Sequence, residues 1–199
     1  QTVCEFFPVS PVMITIRVNA GPVPANHWVH QNDEGGGRLL GEGCHFVDLA
    51  MAIARSRPQT ITAIPATGPN APQTADNVSI VMTFSNGSVA TILYTGDGDR
   101  SFSRERIEVY GQSGVAVIDD WKRGELTRNG KKRRLKSVTN QIGYAEEIDA
   151  FLNAIRTGQP AVSFDELCQS TRATLKALDS LRQGTPQECE PAPEPARAV

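Results

Sequence analysis

The stretch Gly35-Gly36-Gly37-Arg38-Leu39-Leu40-Gly41-Glu42-Gly43-Cys44-His45-Phe46-Val47-Asp48 decides how the rest of the chain is read. Its leading glycines close a polar loop, Gln31-Asn32-Asp33-Glu34. Apolar residues at helical spacing follow: Leu39, Leu40, Val47, Leu49, Ala50 and Ile53. Glycine tolerates backbone angles that other residues resist, so a run of three lets a chain pass close to a ligand or another segment. Helix amides just after such a run can face an anion or a polar ligand. A helix starting near Leu39 puts Glu42 and His45 three residues apart on one face. A carboxylate and an imidazole so placed suit proton transfer. The same letters fit a glycine turn before a core helix, with His45 a satisfied histidine, and spacing leaves both readings open. Asp48, one turn beyond His45, either orients the imidazole or caps a polar patch.

Upstream, residues 12–18 read as a strand with Val12, Ile14, Ile16 and Val18 on one face and Thr15 and Arg17 on the other. Residues 19–26 hold Gly21, Pro22 and Pro24 and form a loop. His27 and His30 flank Trp28. They suit a metal only if helical and joined by a third ligand, which is not evident, so exposed loop histidines and no metal are expected.

Downstream, the helix runs to about Ala54 and stops at Arg55-Ser56-Arg57-Pro58, because a residue before proline avoids helical angles. Strands are expected at 60–66, 77–84, 88–94, 106–110 and 115–119, with a further hairpin at 125–128 and 132–136. Asn86-Gly87, Gly111-Gln112-Ser113-Gly114 and Asn129-Gly130 supply the turns. Residues 67–76 form a long loop. Gly96-Asp97-Gly98-Asp99 is a flexible break without the ligand pattern of a calcium loop. The basic run Lys131-Lys132-Arg133-Arg134 fits a solvated edge hairpin, where charge blocks edge pairing. Val78, Ile80, Met82 and Phe84, with Val89, Thr91 and Leu93, line one sheet face. Val81, Ala90 and Ile92 then leave a second face less polar than water favours.

The period then changes. Tyr144, Ile148, Phe151, Leu152 and Ile155 share a helical stripe that Gly158 and Pro160 end. Ser163 caps a second helix with Glu166 completing a capping box; Leu167, Leu175, Leu178 and Leu181 are its apolar positions. The fold class is α+β: a mostly antiparallel, open-faced sheet of about six strands with helices on one face. Residues 1–186 form the domain and 187–199 a Pro-rich tail, extended and without a core pattern.

Length and composition bound the function. The 199 residues fit one domain; 39% hydrophobic and 21% charged describes an ordinary globular protein, and a net charge of -2 gives no pull towards nucleic acid or an anionic membrane. Cys4, Cys44, Cys168 and Cys189 form no C-x-x-C pair and suit a reducing cytoplasm. No membrane span or signal peptide is expected, and the opening without Met agrees with a trimmed segment.

The glycine stretch resembles the one that opens the C-terminal domain of the Gfo/Idh/MocA oxidoreductases, among them glucose–fructose oxidoreductase and inositol dehydrogenase. Trp28 is similar to the family's Trp before its glycine run. Gly143-Tyr144-Ala145-Glu146-Glu147-Ile148-Asp149-Ala150-Phe151-Leu152 resembles its closing helix. The resemblance covers residues 14–183. It departs at one point: the family's Asp, four residues before its His, falls on Gly41, and Glu42 lies about 100° further round an α-helix.

The resemblance implies hydride transfer between NAD or NADP and a sugar or cyclitol hydroxyl. His45 would take the proton, with Glu42 or Asp48 tuning it, and Trp28, Gly36, Gly37, Arg38 and Tyr144 would contact substrate. It also implies an N-terminal Rossmann domain that carries a lysine and the nucleotide, and a homo-oligomer formed through the sheet face. No Gly-x-Gly-x-x-Gly follows a strand in this chain, so cofactor-binding residues are unknown and the chain alone is expected to be inactive. The alternative is a non-catalytic binding or oligomerisation module.

Overall fold

Alternating apolar side chains build a sheet, and small or amphipathic helices cover one side of it. The computed structural model describes residues 2–30, 34–66, 76–136 and 143–189. Of the expected loops and tail, residues 31–33, 67–75 and 190–199 lie outside the described residues. The chain opens with α1 (Thr2–Phe6) and β1 (Met13–Asn19), then a 3-10 turn (Trp28–His30), a π-turn (Leu39–Gly43) and α2 (Cys44–Ala54). There follow β2 (Pro58–Pro65), β3 (Asn77–Phe84), β4 (Val89–Thr95), β5 (Glu105–Gly111), β6 (Gly114–Asp119), β7 (Arg123–Arg128) and β8 (Lys131–Lys136). The chain closes with α3 (Tyr144–Thr157), α4 (Phe164–Gln183) and β9 (Gln187–Glu188).

The fold is α+β with a mostly antiparallel sheet, but the sheet has nine strands, not six. Their order is β8-β7-β6-β5-β1-β4-β3-β2-β9. The basic hairpin β7–β8 belongs to this same sheet. β9 is a two-residue ladder on Thr60 and Ile61, too short to carry any periodicity. β1 sits at the centre, parallel to β4 and antiparallel to β5, and joins two meanders, β2–β4 and β5–β8. The chain leaving β4 must therefore pass over the end of β1 before entering β5, and that crossing holds Arg104.

The core lies on one face. Ile14, Ile16, Val18, Ile80, Met82, Ile92, Tyr94, Ile107 and Val109 point into it, met by Val47 and Ala50 of α2 and Ala173 and Ala177 of α4. The expected β4 face is corrected here: Ala90 and Ile92 are buried, while Leu93 is exposed on the open face. β4 carries apolar residues at both parities, so alternation is ambiguous. Pairing decides it, because Ile92 lies opposite Ile80 and Ala90 opposite Met82, and cross-strand partners share a face.

α4 differs in the same way. Its capping box forms as expected, with Ser163 Oγ accepting from the Glu166 N–H at 3.2 Å and the Ser163 N–H donating to Glu166 Oε2 at 2.9 Å. Its fully buried face is Gln169, Ala173, Thr174, Ala177 and Ser180; of the expected apolar positions, Leu178 and Leu181 pack partly against the core, and Leu167 and Leu175 are exposed. Small residues let the helix lie close on β2, where the Ala63 N–H donates to Ser180 Oγ at 2.9 Å. α3 buries none of its residues; Ile148, Phe151 and Ile155 all face outward.

Ile16, fully buried on the central strand, tests this arrangement. Ile16→Ala should cost about 3–4 kcal/mol in urea unfolding, since it opens a cavity between the meanders. Ile148→Ala on the outward stripe should cost about 0.5 kcal/mol or less in this chain. Equal losses would contradict the packing described.

Candidate functional site

The glycine run folds against its own upstream turn. A β-carbon on Gly35 would lie 2.5 Å from the Val29 Cα, so only glycine fits there. Gly36 and Gly37 take left-handed angles (φ 64° and 87°), and the Gly37 N–H donates to the Val29 carbonyl at 3.0 Å. The segment that the glycines let in close is thus the Trp28–His30 turn.

The helix expected from Leu39 does not begin as an α-helix. Leu39–Gly43 is a π-turn, and α2 starts at Cys44. Gly41 and Gly43 are poor helix formers, which lets the wider turn form here. Glu42 consequently leaves the α-helical register with His45 and turns towards the sheet.

Glu42 is the centre of a charged cluster. Arg38 Nη2–H donates to Glu42 Oε2 at 3.0 Å, and Arg38 Nη1–H donates to the Gly21 carbonyl at 2.7 Å. The Tyr94 hydroxyl donates to the same Oε2, and Arg104 Nη2–H donates to Oε1. The Arg38 guanidinium stands over the Tyr94 ring, 5.4 Å from its centroid. Burial works against the Glu42 charge. Hydrogen bonds from Tyr94 and Arg38 and the charges of Arg104 and Arg38 outweigh it, and the carboxyl is held below its ordinary value. Burial, followed by the hydrogen bond to Glu42, pushes the Tyr94 hydroxyl far up. Burial also raises the Cys44 thiol, which keeps it protonated and poorly suited to act as a nucleophile.

His45 and Asp48 project from the exposed side of α2, one turn apart. They line a depression of about 450 Å³ with Glu42, Phe46 and Leu49. Its other wall comes from the sheet: Arg104, Glu105 and Trp121. The Trp121 Nε1–H donates to Glu105 Oε2 at 2.6 Å, and Arg104 Nε lies 3.5 Å from Glu105 Oε1. A polar chain thus runs Glu42–Arg104–Glu105–Trp121 along that wall. Asp48 also borders a second depression, of about 500 Å³, that reaches Ala161 and Val162 ahead of α4.

The structure brings His45, Glu42 and Asp48 to one depression and does not bring the other expected site residues there. Arg38 is buried and committed to Glu42 and Gly21. Gly36 and Gly37 pack on the 3-10 turn, where Trp28 is exposed, and Tyr144 is exposed on α3. His30 pairs with Asp76, its Nδ1 lying 3.7 Å from Oδ2. Among the described residues no group of three or more His, Cys, Asp or Glu side chains could hold a metal ion. Sequence reasoning missed Tyr94, Arg104, Glu105 and Trp121. The one available signal was a lone Trp inside the turn Asp119-Asp120-Trp121-Lys122.

The sequence profile of the GFO/IDH/MocA C-terminal domain matches residues 10–117. No curated protein matches the chain. Among solved structures, an oxidoreductase domain protein from Kribbella flavida is similar at a TM-score of 0.78 and 19% identity, over 95% of this chain and 61% of that one. UDP-N-acetylglucosamine 3-dehydrogenase from Acidithiobacillus ferrooxidans is similar at 0.74 and 18%, over 92% and 57%. Levoglucosan dehydrogenase in complex with NADH is similar at 0.73 and 18%, over 90% and 58%. At these identities the likeness is one of fold, and the chain spans about three fifths of the length of the structures it matches.

Because the Glu42 carboxyl sits below its ordinary value of 4.5, its stabilising effect is fully present above that pH and is lost as pH falls below it. Glu42→Gln should cost about 2 kcal/mol at pH 7, since it leaves the Arg38 guanidinium buried without a counter-charge. The difference between parent and variant should shrink at pH 3, as read from urea midpoints. A pH-independent difference would argue against an ionised Glu42 at the centre of the cluster.

Proposed function

This chain belongs to the GFO/IDH/MocA C-terminal domain family, and on that premise we propose that it is the substrate half of an NAD- or NADP-dependent oxidoreductase acting on a sugar or cyclitol hydroxyl. The observation that carries this reading is the exposed His45–Asp48 pair on α2, facing a depression with a polar far wall. His45 accepts the proton of the substrate hydroxyl, and Asp48 orients the imidazole. Glu42, already ionised and gripped by two arginines, positions Arg104 rather than exchanging a proton. The relatives' names, dehydrogenases of a nucleotide sugar and of levoglucosan, support a carbohydrate as substrate.

The residues described do not fit a nucleotide. The glycine run is engaged with Val29 and leads into a π-turn, and no strand enters it directly. Hydride acceptance therefore belongs to a nucleotide held by an N-terminal Rossmann domain outside this chain. We assign to that domain the outward apolar stripe of α3, Ile148, Phe151 and Ile155, which has no partner surface among the described residues. We take residues 1–186 as the domain and 187–199 as a Pro-rich extension whose start, residues 187–189, joins the domain through β9 and the Cys189 contact with its core.

The open sheet face exposes Met13, Ile64, Val81, Leu93 and Tyr110, and we assign it to contact with a second copy. No helix of the described residues is long and apolar enough to cross a membrane. The free cysteines suit the cytoplasm. The alternative, a non-catalytic binding or oligomerisation module, draws on Gly41 standing where the family has an acid.

In a protein that joins this chain to its nucleotide domain, His45→Ala should lower turnover of a polyol substrate about 10²-fold or more. Undiminished turnover would remove His45 from the chemistry and favour the non-catalytic module. The 199-residue chain alone should bind NADH and NADPH weakly or not at all by calorimetry, and micromolar binding would place a nucleotide site within it. Leu93→Asp should shift the chain towards monomer in sedimentation velocity, and an unchanged profile would exclude the sheet face as the contact.

A further inference from the structure

We propose that Trp121 is an aromatic platform of the substrate site, against which one apolar face of a pyranose or cyclitol ring stacks. The proposal rests on the reading of the His45 depression as the place where the substrate binds.

The β6–β7 connection is a tight turn in which the Lys122 N–H donates to the Asp119 carbonyl at 3.1 Å. Its two central residues, Asp120 and Trp121, both take left-handed angles (φ 50° and 56°). Such turns match the twist of a hairpin and favour Asn and Gly at these positions. The next hairpin obeys the preference with Asn129-Gly130, and the preceding one places the polar pair Gln112-Ser113 at the same angles. A bulky aromatic residue is out of place there on local grounds. Core packing does not account for it, since Trp121 is 41% exposed and lies outside the core cluster. A strained residue at the rim of a cleft points to a role in that cleft.

The surroundings hold the indole rather than let it swing. Glu105 grips the turn at three points: its carboxylate accepts from Trp121 Nε1–H at 2.6 Å, its carbonyl accepts from the Asp120 N–H at 2.8 Å, and its own N–H donates to Asp120 Oδ1 at 2.9 Å. The result is a flat apolar plate on one wall of the depression, with the His45 and Asp48 side chains on the other. A sugar ring has the complementary anatomy: a face of C–H groups and a rim of hydroxyls. An aromatic plate answers the first, and the imidazole, carboxylate and guanidinium groups answer the second.

The chain has two tryptophans, Trp28 and Trp121, so Trp28→Phe leaves a single indole N–H resonance in a ¹⁵N-labelled sample. Methyl β-D-glucopyranoside should move that resonance along a saturable curve. D-glucitol, which has similar hydroxyls but no ring face, should bind about tenfold more weakly or not at all. Asn tolerates the left-handed turn, so Trp121→Asn should fold. It should weaken glucopyranoside affinity about tenfold or more, followed by the His45 ring resonances, while Trp121→Phe stays within about threefold. Undiminished affinity in Trp121→Asn overturns the proposal. So does a still indole resonance while the His45 ring responds, and that outcome leaves the site reading standing. If the glucopyranoside moves neither residue, the platform and the site reading both fall.

Discussion

A single carboxylate, that of Glu42, ties the π-turn to the end of β4 and to the crossing into β5. It is partly withdrawn from water, so it must be matched by donors, and those donors come from three places in the chain. Arg38 fixes the start of the π-turn and reaches back to Gly21. Tyr94 anchors the end of β4. Arg104 anchors the crossing that leads from β4 over β1 to β5. An unpaired charge at this depth is costly, so all of the partners have to be in place together. The π-turn makes this possible by rotating Glu42 away from the exposed face of α2, where His45 and Asp48 remain.

The site inherits its shape from this arrangement and from the place of β1 in the sheet. β1 separates the two meanders, and the helix that follows the π-turn lies across β1 and β4. The depression forms where the exposed side of that helix faces the ends of β5 and β6. One wall is therefore local in sequence, within a turn or two of His45, and the other lies some sixty to eighty residues further along the chain, at Arg104, Glu105 and Trp121. The α2 wall is seated by its buried apolar face, Phe46, Val47 and Ala50, and the far wall is held by strand pairing and by the bonds of Arg104 and Glu105.

Much of the sheet was legible because its signals are short-range. The faces of β1 and β3 follow from simple alternation, and the capping box at Ser163 and the turn at Asn129-Gly130 are local chemistry. β4 was misread because Val89, Ile92, Leu93 and Tyr94 are apolar at both parities. There the pairing of Ile92 with Ile80 selects the buried face. Of the apolar positions read in α4, Leu178 and Leu181 pack partly against the core and Leu167 and Leu175 do not, because small residues form the centre of its contact. Close approach to β2 needs Ala173, Ala177 and Ser180, and the leucines fall to the rim or outside. That His45 and Asp48 share the exposed side of α2 was legible from their spacing. Trp121 was not, because its angles and its hydrogen bond to Glu105 arise only once the hairpin is closed.

By itself the sequence determined the α+β class, most strand positions, the stop of α3 at Gly158, the capping box of α4 and the spacing of His45 and Asp48 on one face of a helix. All of these follow from periodicity and from contacts within a few residues, where the backbone alone sets which groups meet. The resemblance carried by the glycine stretch added the family. Tertiary structure decided the partners of Glu42, which Tyr94, Arg38 and Arg104 hold at the edge of the depression that His45 and Asp48 also line. It also decided what faces His45 across the depression. The physical reason is the same in both cases: a partly buried charge and a two-walled cleft are completed by groups far apart in the chain, and only the register of the folded sheet brings those groups within reach.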